Sequence, residues 1–261
     1  VNGTEVLRWF EHAYPILKAS EWGPLLQHGE IDILDVGIVA LYFNTLTFLR
    51  HDPAKKRKKP LGMLGRTRRQ TKLLGSRVKR SLEDRATSRR SAQISQADIV
   101  FWPCEPTHVK AMKPVMQWLD QQNIPYIVFA CRGKIFHELQ AQGIQAIFPQ
   151  AHWGGRLRKA SLTGRIQCTK LSNSELFDIS DLDPWDDTAE LVKMLRFHSA
   201  HLLPLIYEAQ VNCEEIFRRI KPKVLVVGSD ITYQGRTACR MAKTQGITTA
   251  CPMHGALASN P

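Results

Sequence analysis

"ADIVFWPCEPTHVKAMKPVMQWLDQQNIPYIVFACRGKIFHELQAQGIQAIF", residues 97–148, decides the fold. Three short apolar runs, at 97–103, 124–130 and 144–148, are rich in β-branched and aromatic residues. The stretches between them, 109–123 and 134–143, carry apolar residues at helical spacing: Val109, Met112, Val115, Met116 and Leu119 in the first. Pro103 ends one strand and Gly143 stops one helix. Short strands alternating with helices of this length predict βαβ units and a parallel sheet. Right-handed crossovers then give an α/β, Rossmann-like layer with helices on both faces.

The same pattern returns near the C-terminus. "KPKVLVVGSD" (221–230) predicts a strand covered on both faces, 234–245 a helix closed by Gly246, and "ITTAC" (247–251) a last strand. Before them, "DPWDD" (183–187) is a helix start, with Asp183 as cap and Pro184 at the first helical position. Helical periodicity then runs from Val192 to Ile220, and Pro204 is expected to divide or kink it. Residues 149–182 read as irregular, and "HWGGRLRKASLTGR" (152–165) as a loop with anion contacts.

Residues 1–96 have a different character: a mainly helical N-terminal region. Residues 4–20 suit an amphipathic helix that Pro15 bends or ends. Residues 31–50 are apolar but carry Asp32, Asp35 and Asn44, which argues against a membrane span and for a buried or membrane-surface helix. The net charge of +12 is concentrated: residues 50–90 hold 16 basic and 3 acidic residues, the rest of the chain 20 and 21. Lys55, Lys56, Arg57, Lys58, Lys59, Arg68 and Arg69 form its densest part. A solvated face is the first reading of such a run, an anionic membrane surface the second. Nucleic acid ranks last, because no aromatic residue interrupts the cations to stack on bases.

The six cysteines form no C-x-x-C pair, and no Cys/His spacing matches a zinc site, so a reducing, cytoplasmic setting is expected. His198 and His201, three apart on a helix, have no carboxylate or thiolate partner at suitable spacing and read as ordinary helix residues. G-x-x-x-x-G-K-[ST], G-x-S-x-G and G-x-G-x-x-G are all missing, which argues against a P-loop enzyme, a hydrolase of the nucleophile-elbow type and a dinucleotide oxidoreductase.

In an open parallel sheet, ligands bind at the C-terminal strand ends. Three such ends are chemically notable. "PCEPTH" offers Glu105 and His108, "GSDITYQGR" offers Asp230 and Arg236, and "PMHGAL" offers His254 and Gly255. A histidine held at a strand end can act as acid, base or donor to a developing anion. Gly228 and Gly255 let backbone or ligand approach closely. Each residue also has a plain alternative: Glu105 or Asp230 as a helix cap, Arg236 as the partner of Asp230, His254 bonded within its turn.

The stretch "KPKVLVVGSDITYQGRTACRMAKTQGITTACPMHGAL" (221–257) resembles the end of the N-terminal lobe in GT-B glycosyltransferases of bacterial surface, capsule-type polysaccharides. There a strand ends in Asp, an Arg follows in the next helix, and a "QHG" segment closes the lobe; this chain has Asp230, Arg236 and His254-Gly255, with Met253 in place of the Gln. The resemblance covers roughly residues 97–261. It implies one Rossmann-like acceptor-side lobe, a second, donor-binding lobe that follows it, and transfer from a nucleotide-sugar donor to a glycan or lipid-linked acceptor. Asp230 is then the base or nucleophile, Glu105 a second base, and His254 the group beside the departing phosphate. Arg236, His108, Gly228 and Gly255 contact substrate. Such enzymes generally use no metal for chemistry, and no cofactor is implied. The chain, which lacks an initiator Met, is expected to be part of a longer enzyme, peripheral at the inner face of the membrane. A nucleotide-sugar epimerase of the same fold and a non-catalytic membrane- or nucleic-acid-binding domain are the alternatives.

Overall fold

The structure is a computed structural model that describes residues 87–173 and 188–252, and positions 8, 11–12, 14–16, 18–19, 22–25, 27–28, 31–32 and 35–36 nearer the N-terminus. At its centre is a parallel sheet of four strands: β3 (Ile99–Trp102), β4 (Tyr126–Val128), β5 (Val224–Val227) and β6 (Thr248–Ala250). They follow a short helix α1 (Trp22–Leu25) and a small antiparallel pair, β1 (Gln27–His28) with β2 (Ile31–Asp32). The strand order in the main sheet is β4-β3-β5-β6, with Ile99 beside Tyr126 and Trp102 beside Val227.

The expected strand at 144–148 narrows to one parallel bridge, Ile147 with Phe129, on the outer side of β4. From β3 the chain therefore steps outward through β4 to Ile147. It then returns across the sheet to lay down β5 and β6 on the other side. The order reverses between β3 and β5, which places their C-terminal ends at the switch point of the sheet.

Strand residues alternate between two cores, as the two-residue repeat requires. Val100, Trp102, Leu225 and Val227 face one core with Phe129 and Ile147. Phe101 and Val128 face the other. Helices α2 (Pro106–Gln121) and α3 (Gly133–Ala141) cover the second face through Val109, Met112, Met116, Ile135, Phe136 and Leu139. Helices α4 (Pro149–Asn173), α5 (Thr188–Ile220) and α6 (Tyr233–Thr244) contribute Leu157, Ile216 and Ala238 to the first. Pro106 starts α2 without loss, since the first helical N–H has no partner in any helix. Gly143 and Gly246, at φ of +72° and +68°, take the left-handed turns that end α3 and α6.

Several expectations are corrected. Residues 149–173 are helical, not a loop. Trp153, Leu157, Ala160 and Gly164 recur at steps of four and three and form the buried side of α4, while Trp153 itself is non-helical and marks a kink. Gly164 is required there: a Cβ would sit 2.6 Å from the Pro204 Cα. Pro204 does not divide α5, which runs unbroken from Thr188 to Ile220. The turn that proline weakens is packed against Gly164. Pro15 does not end its helix either, since positions 14–16 and 18–19 are helical. Ile31 and Asp32 belong to β2, so the expected helix of 31–50 does not include them. All three residues of β6 are exposed, and among the described residues it is an edge strand of the sheet. The basic residues at 55–59, 68 and 69, the helix start at 183–187, and His254 and Gly255 lie outside the described residues.

The two long helices are joined by polar groups as well. Glu215, 1% exposed, receives Arg156 from α4 and Arg218 and Arg219 from its own helix, at 2.8 and 2.5 Å for the last two. Trp153 Nε1 donates to Asn212 Oδ1 at 2.8 Å. The pair with Arg156 ties α4 to α5 at this crossing, and the three cations compensate the buried carboxylate. Among the described residues no helix is long and apolar enough to cross a membrane.

Candidate active site

The two strand ends at the switch point differ in how their polar groups are used. After β3, Cys104 and Glu105 turn into α2, with Glu105 in the N-cap position. His108, one turn into the helix, folds back over them. Its Nδ1 accepts from the backbone N–H groups of Cys104 and Glu105, at 3.1 and 3.2 Å. An atom that accepts twice carries no proton, so the ring is neutral with its proton on Nε2. The ring rests directly on Gly228: a Cβ there would come within 2.3 Å of Nδ1. The closeness permitted by Gly228 is therefore used by His108, not by a ligand. His108 is buried, as is Cys104, whose thiol burial pushes up to about 11.

Glu105 is engaged in turn. Arg132, at the end of β4, approaches its carboxylate at 3.4 Å and donates to Tyr233 Oη, the first residue of α6, at 2.5 Å. Burial works against the Arg132 charge, but Tyr233 and Glu105 more than restore it, so the guanidinium stays ionised. Burial raises the Tyr233 phenol against the pull of Arg132. The result is a clasp joining three strand ends, and no sequence signal announced Arg132 or Tyr233.

The end of β5 is arranged otherwise. Thr232 Oγ1 accepts from Gly235 N at 3.1 Å and donates to Ser229 O at 3.3 Å, so Thr232, not Asp230, caps α6. Gly235 sits against that same carbonyl, where a Cβ would be 1.7 Å from the oxygen. The turn is tight, and it leaves Asp230 exposed at its tip. Asp230 forms no ion pair with Arg236. Instead Arg236 donates to Asp35 O at 2.9 Å and reaches its carboxylate at 3.3 Å, while Arg240 reaches the other carboxylate oxygen at 2.8 Å.

Beside Asp230 opens a groove of about 500 Å³, running along α6 to the start of β6. Arg236, Arg240 and Lys243 line it, with the Thr248 and Thr249 residues of the exposed edge strand. Spacing of four and three residues puts the three cations on one helix face. That spacing was present in the sequence and would have found Arg240 and Lys243. Asp35, some two hundred residues away, had no such signal. Asp35 offsets one of the three positive charges, so the groove keeps a net positive wall facing the Asp230 carboxylate. Cys239 and Cys251 flank that carboxylate; burial and then its charge push the Cys239 thiol up to about 11, and burial raises the Cys251 thiol against a hydrogen bond to the Asp230 backbone. Cys251 is three residues before His254.

A cationic groove whose mouth carries a carboxylate in no ion pair among the described residues can bind an anionic group and accept a proton beside it. Comparison of the chain with protein-family models, curated proteins and solved structures finds no match.

Proposed function

We propose that this chain is the acceptor-side lobe of a GT-B glycosyltransferase that moves a sugar from a nucleotide-sugar donor to a glycan or lipid-linked acceptor in surface polysaccharide synthesis. One observation carries the reading: Asp230, in no ion pair among the described residues, follows β5 beside the switch point of the parallel sheet, at one end of a groove lined by Arg236, Arg240 and Lys243. Substrate sites of open α/β sheets lie at this place. In the transfer, Asp230 takes the proton of the acceptor hydroxyl as its oxygen bonds to the anomeric carbon. The bond from that carbon to the donor phosphate breaks, and the nucleotide diphosphate leaves with the electron pair. The cations of α6 offset the charge that gathers on it. His254 is assigned to the same departing phosphate, and the basic run at 50–90 holds the enzyme near anionic lipid on the inner face of the membrane. Glu105, bound to Arg132, serves to fix the strand ends and not as a base.

The test is release of nucleotide from nucleotide-sugar donors, with and without acceptor glycans, by the enzyme that contains this chain. Asp230→Asn and His254→Ala should each lower acceptor-dependent release by about 10²- to 10⁴-fold with the fold intact. Wild-type rates in both remove these residues from the mechanism. Sugar inversion without acceptor would assign the fold to an epimerase instead.

A further inference from the structure

Helix α4 carries a feature that the sugar chemistry leaves unused. Its buried side, Trp153, Leu157, Ala160 and Gly164, packs toward α5. On the opposite side Leu162 is 58% and Ile166 50% exposed. One turn apart, they form a small aliphatic ridge pointing away from the core. Arg158 and Arg165 flank it on one side, Lys159 and Lys170 on the other, and all four are exposed. Among the described residues none of the four is in an ion pair. From Pro149 to Asn173 the helix contains no Asp or Glu at all. The short helix α1 also touches α4, yet the ridge stays open.

We propose that this face of α4 is a contact surface for anionic lipid headgroups. It adds a second membrane contact, on the folded lobe itself, to the one assigned to the basic run at 50–90, and it holds whatever reaction Asp230 performs. The arrangement matches a helix lying in the plane of a membrane. Aliphatic side chains enter the headgroup boundary, and a rim of cations pairs with lipid phosphates. Charge complementarity selects the occupant: a face with four cations in no ion pair among the described residues, on a helix without Asp or Glu, attracts a negative surface. The aliphatic centre selects lipid over nucleic acid, because Leu162 and Ile166 have neither a ring to stack on bases nor a polar group to read them. Lys and Arg stems reach outward from such a ridge and keep their charges at the phosphates.

The experiment is sedimentation of the full chain with vesicles of phosphatidylcholine alone and of phosphatidylcholine mixed with phosphatidylglycerol. The wild type should bind the mixed vesicles and release as salt is added. The double variant Leu162→Ser, Ile166→Ser should bind roughly tenfold more weakly. The double variant Arg158→Gln, Arg165→Gln should lose about tenfold or more and become less salt-sensitive. All four sites are exposed, so melting temperature and helix content should match the wild type in both variants. The basic run at 50–90 is intact throughout. Unchanged vesicle binding in both double variants therefore assigns the membrane contact to that run alone and overturns the proposal. Loss of oligonucleotide binding from the arginine variant, with vesicle binding kept, overturns it in favour of nucleic acid. A change of oligomeric state in the serine variant, with vesicle binding kept, overturns it in favour of a second copy of the chain.

Discussion

The ends of β3 and β5 are hydrogen-bonded neighbours, both rich in polar groups, and they put those groups to opposite uses. At the end of β3 three polar side chains are engaged within the protein: His108 on two backbone amides, Glu105 on Arg132, Arg132 on Tyr233. At the end of β5 the turn is just as tight, but it satisfies itself through Thr232 and Ser229 and leaves Asp230 outward beside a cationic groove. A place in the sheet is thus not sufficient to make a site. What separates the two ends is whether the fold has already satisfied the hydrogen-bonding and charge of the groups it gathers there.

The largest expected effect separates the two carboxylates. Asp230→Asn should reduce sugar transfer by about 10²-fold or more, whereas Glu105→Gln should change it by less than about tenfold. Urea unfolding of Asp230→Asn should stay within about 0.5 kcal/mol of the wild type, as for an exposed polar exchange. Equal kinetic losses in both variants would erase the distinction between the closed and the open end.

Next come the glycines that let each turn close. Gly235→Ala drives a Cβ into the Ser229 carbonyl, and Gly228→Ala drives one into the His108 ring. Neither neighbour is the end of a flexible side chain, so each substitution should cost about 3 kcal/mol in urea unfolding. A cost below about 1 kcal/mol at Gly228 would mean that His108 can leave its amides easily, and the closed end would not be closed.

A smaller effect appears at alkaline pH. The buried Cys104 thiol is pushed from 9.0 to about 11, so in the unfolded chain it ionises first. Its contribution is fully present below pH 9 and is lost as pH rises toward 11, since the unfolded state then binds fewer protons than the folded one. Cys239 and the other buried thiols add to the decline across that window, so it should be smaller in Cys104→Ala by on the order of 2 kcal/mol. A decline of equal size in Cys104→Ala would assign it to other groups. The smallest effect is at the cap: Thr232→Ala should cost about 1 kcal/mol, while Asp230→Ala, which caps nothing, should cost less than that.

Much of the α/β layer was legible because its elements declare themselves by period. The runs at 99–102 and 224–227 are strands, and 106–121, 133–141 and 233–244 are helices, close to where alternation and helical spacing put them. The misses have a common origin in tertiary packing. Gly154, Gly155 and Gly164 read as loop signals in α4, but Gly164 is small so that α5 can approach, and the helix forms for that contact. Pro204 reads as a break, yet it lies where Gly164 covers the weakened turn. At the site, Asp230, Glu105, His108 and Arg236 were visible as strand-end residues. Their different fates were not, because Arg132, Tyr233 and Asp35 come from distant parts of the chain and nothing local encodes who pairs with whom.

The claim that the open end of β5 is the ligand site can be tested most directly by titrating the isotope-labelled chain with inorganic pyrophosphate, the anionic part of nucleoside-diphosphate-sugar donors, and following backbone amide resonances. Perturbations centred on Asp230, Arg236, Arg240, Lys243 and residues 246–249, fading with added salt, are the predicted result. Perturbations centred on Glu105, His108 and Arg132, with the groove along α6 silent, would contradict it.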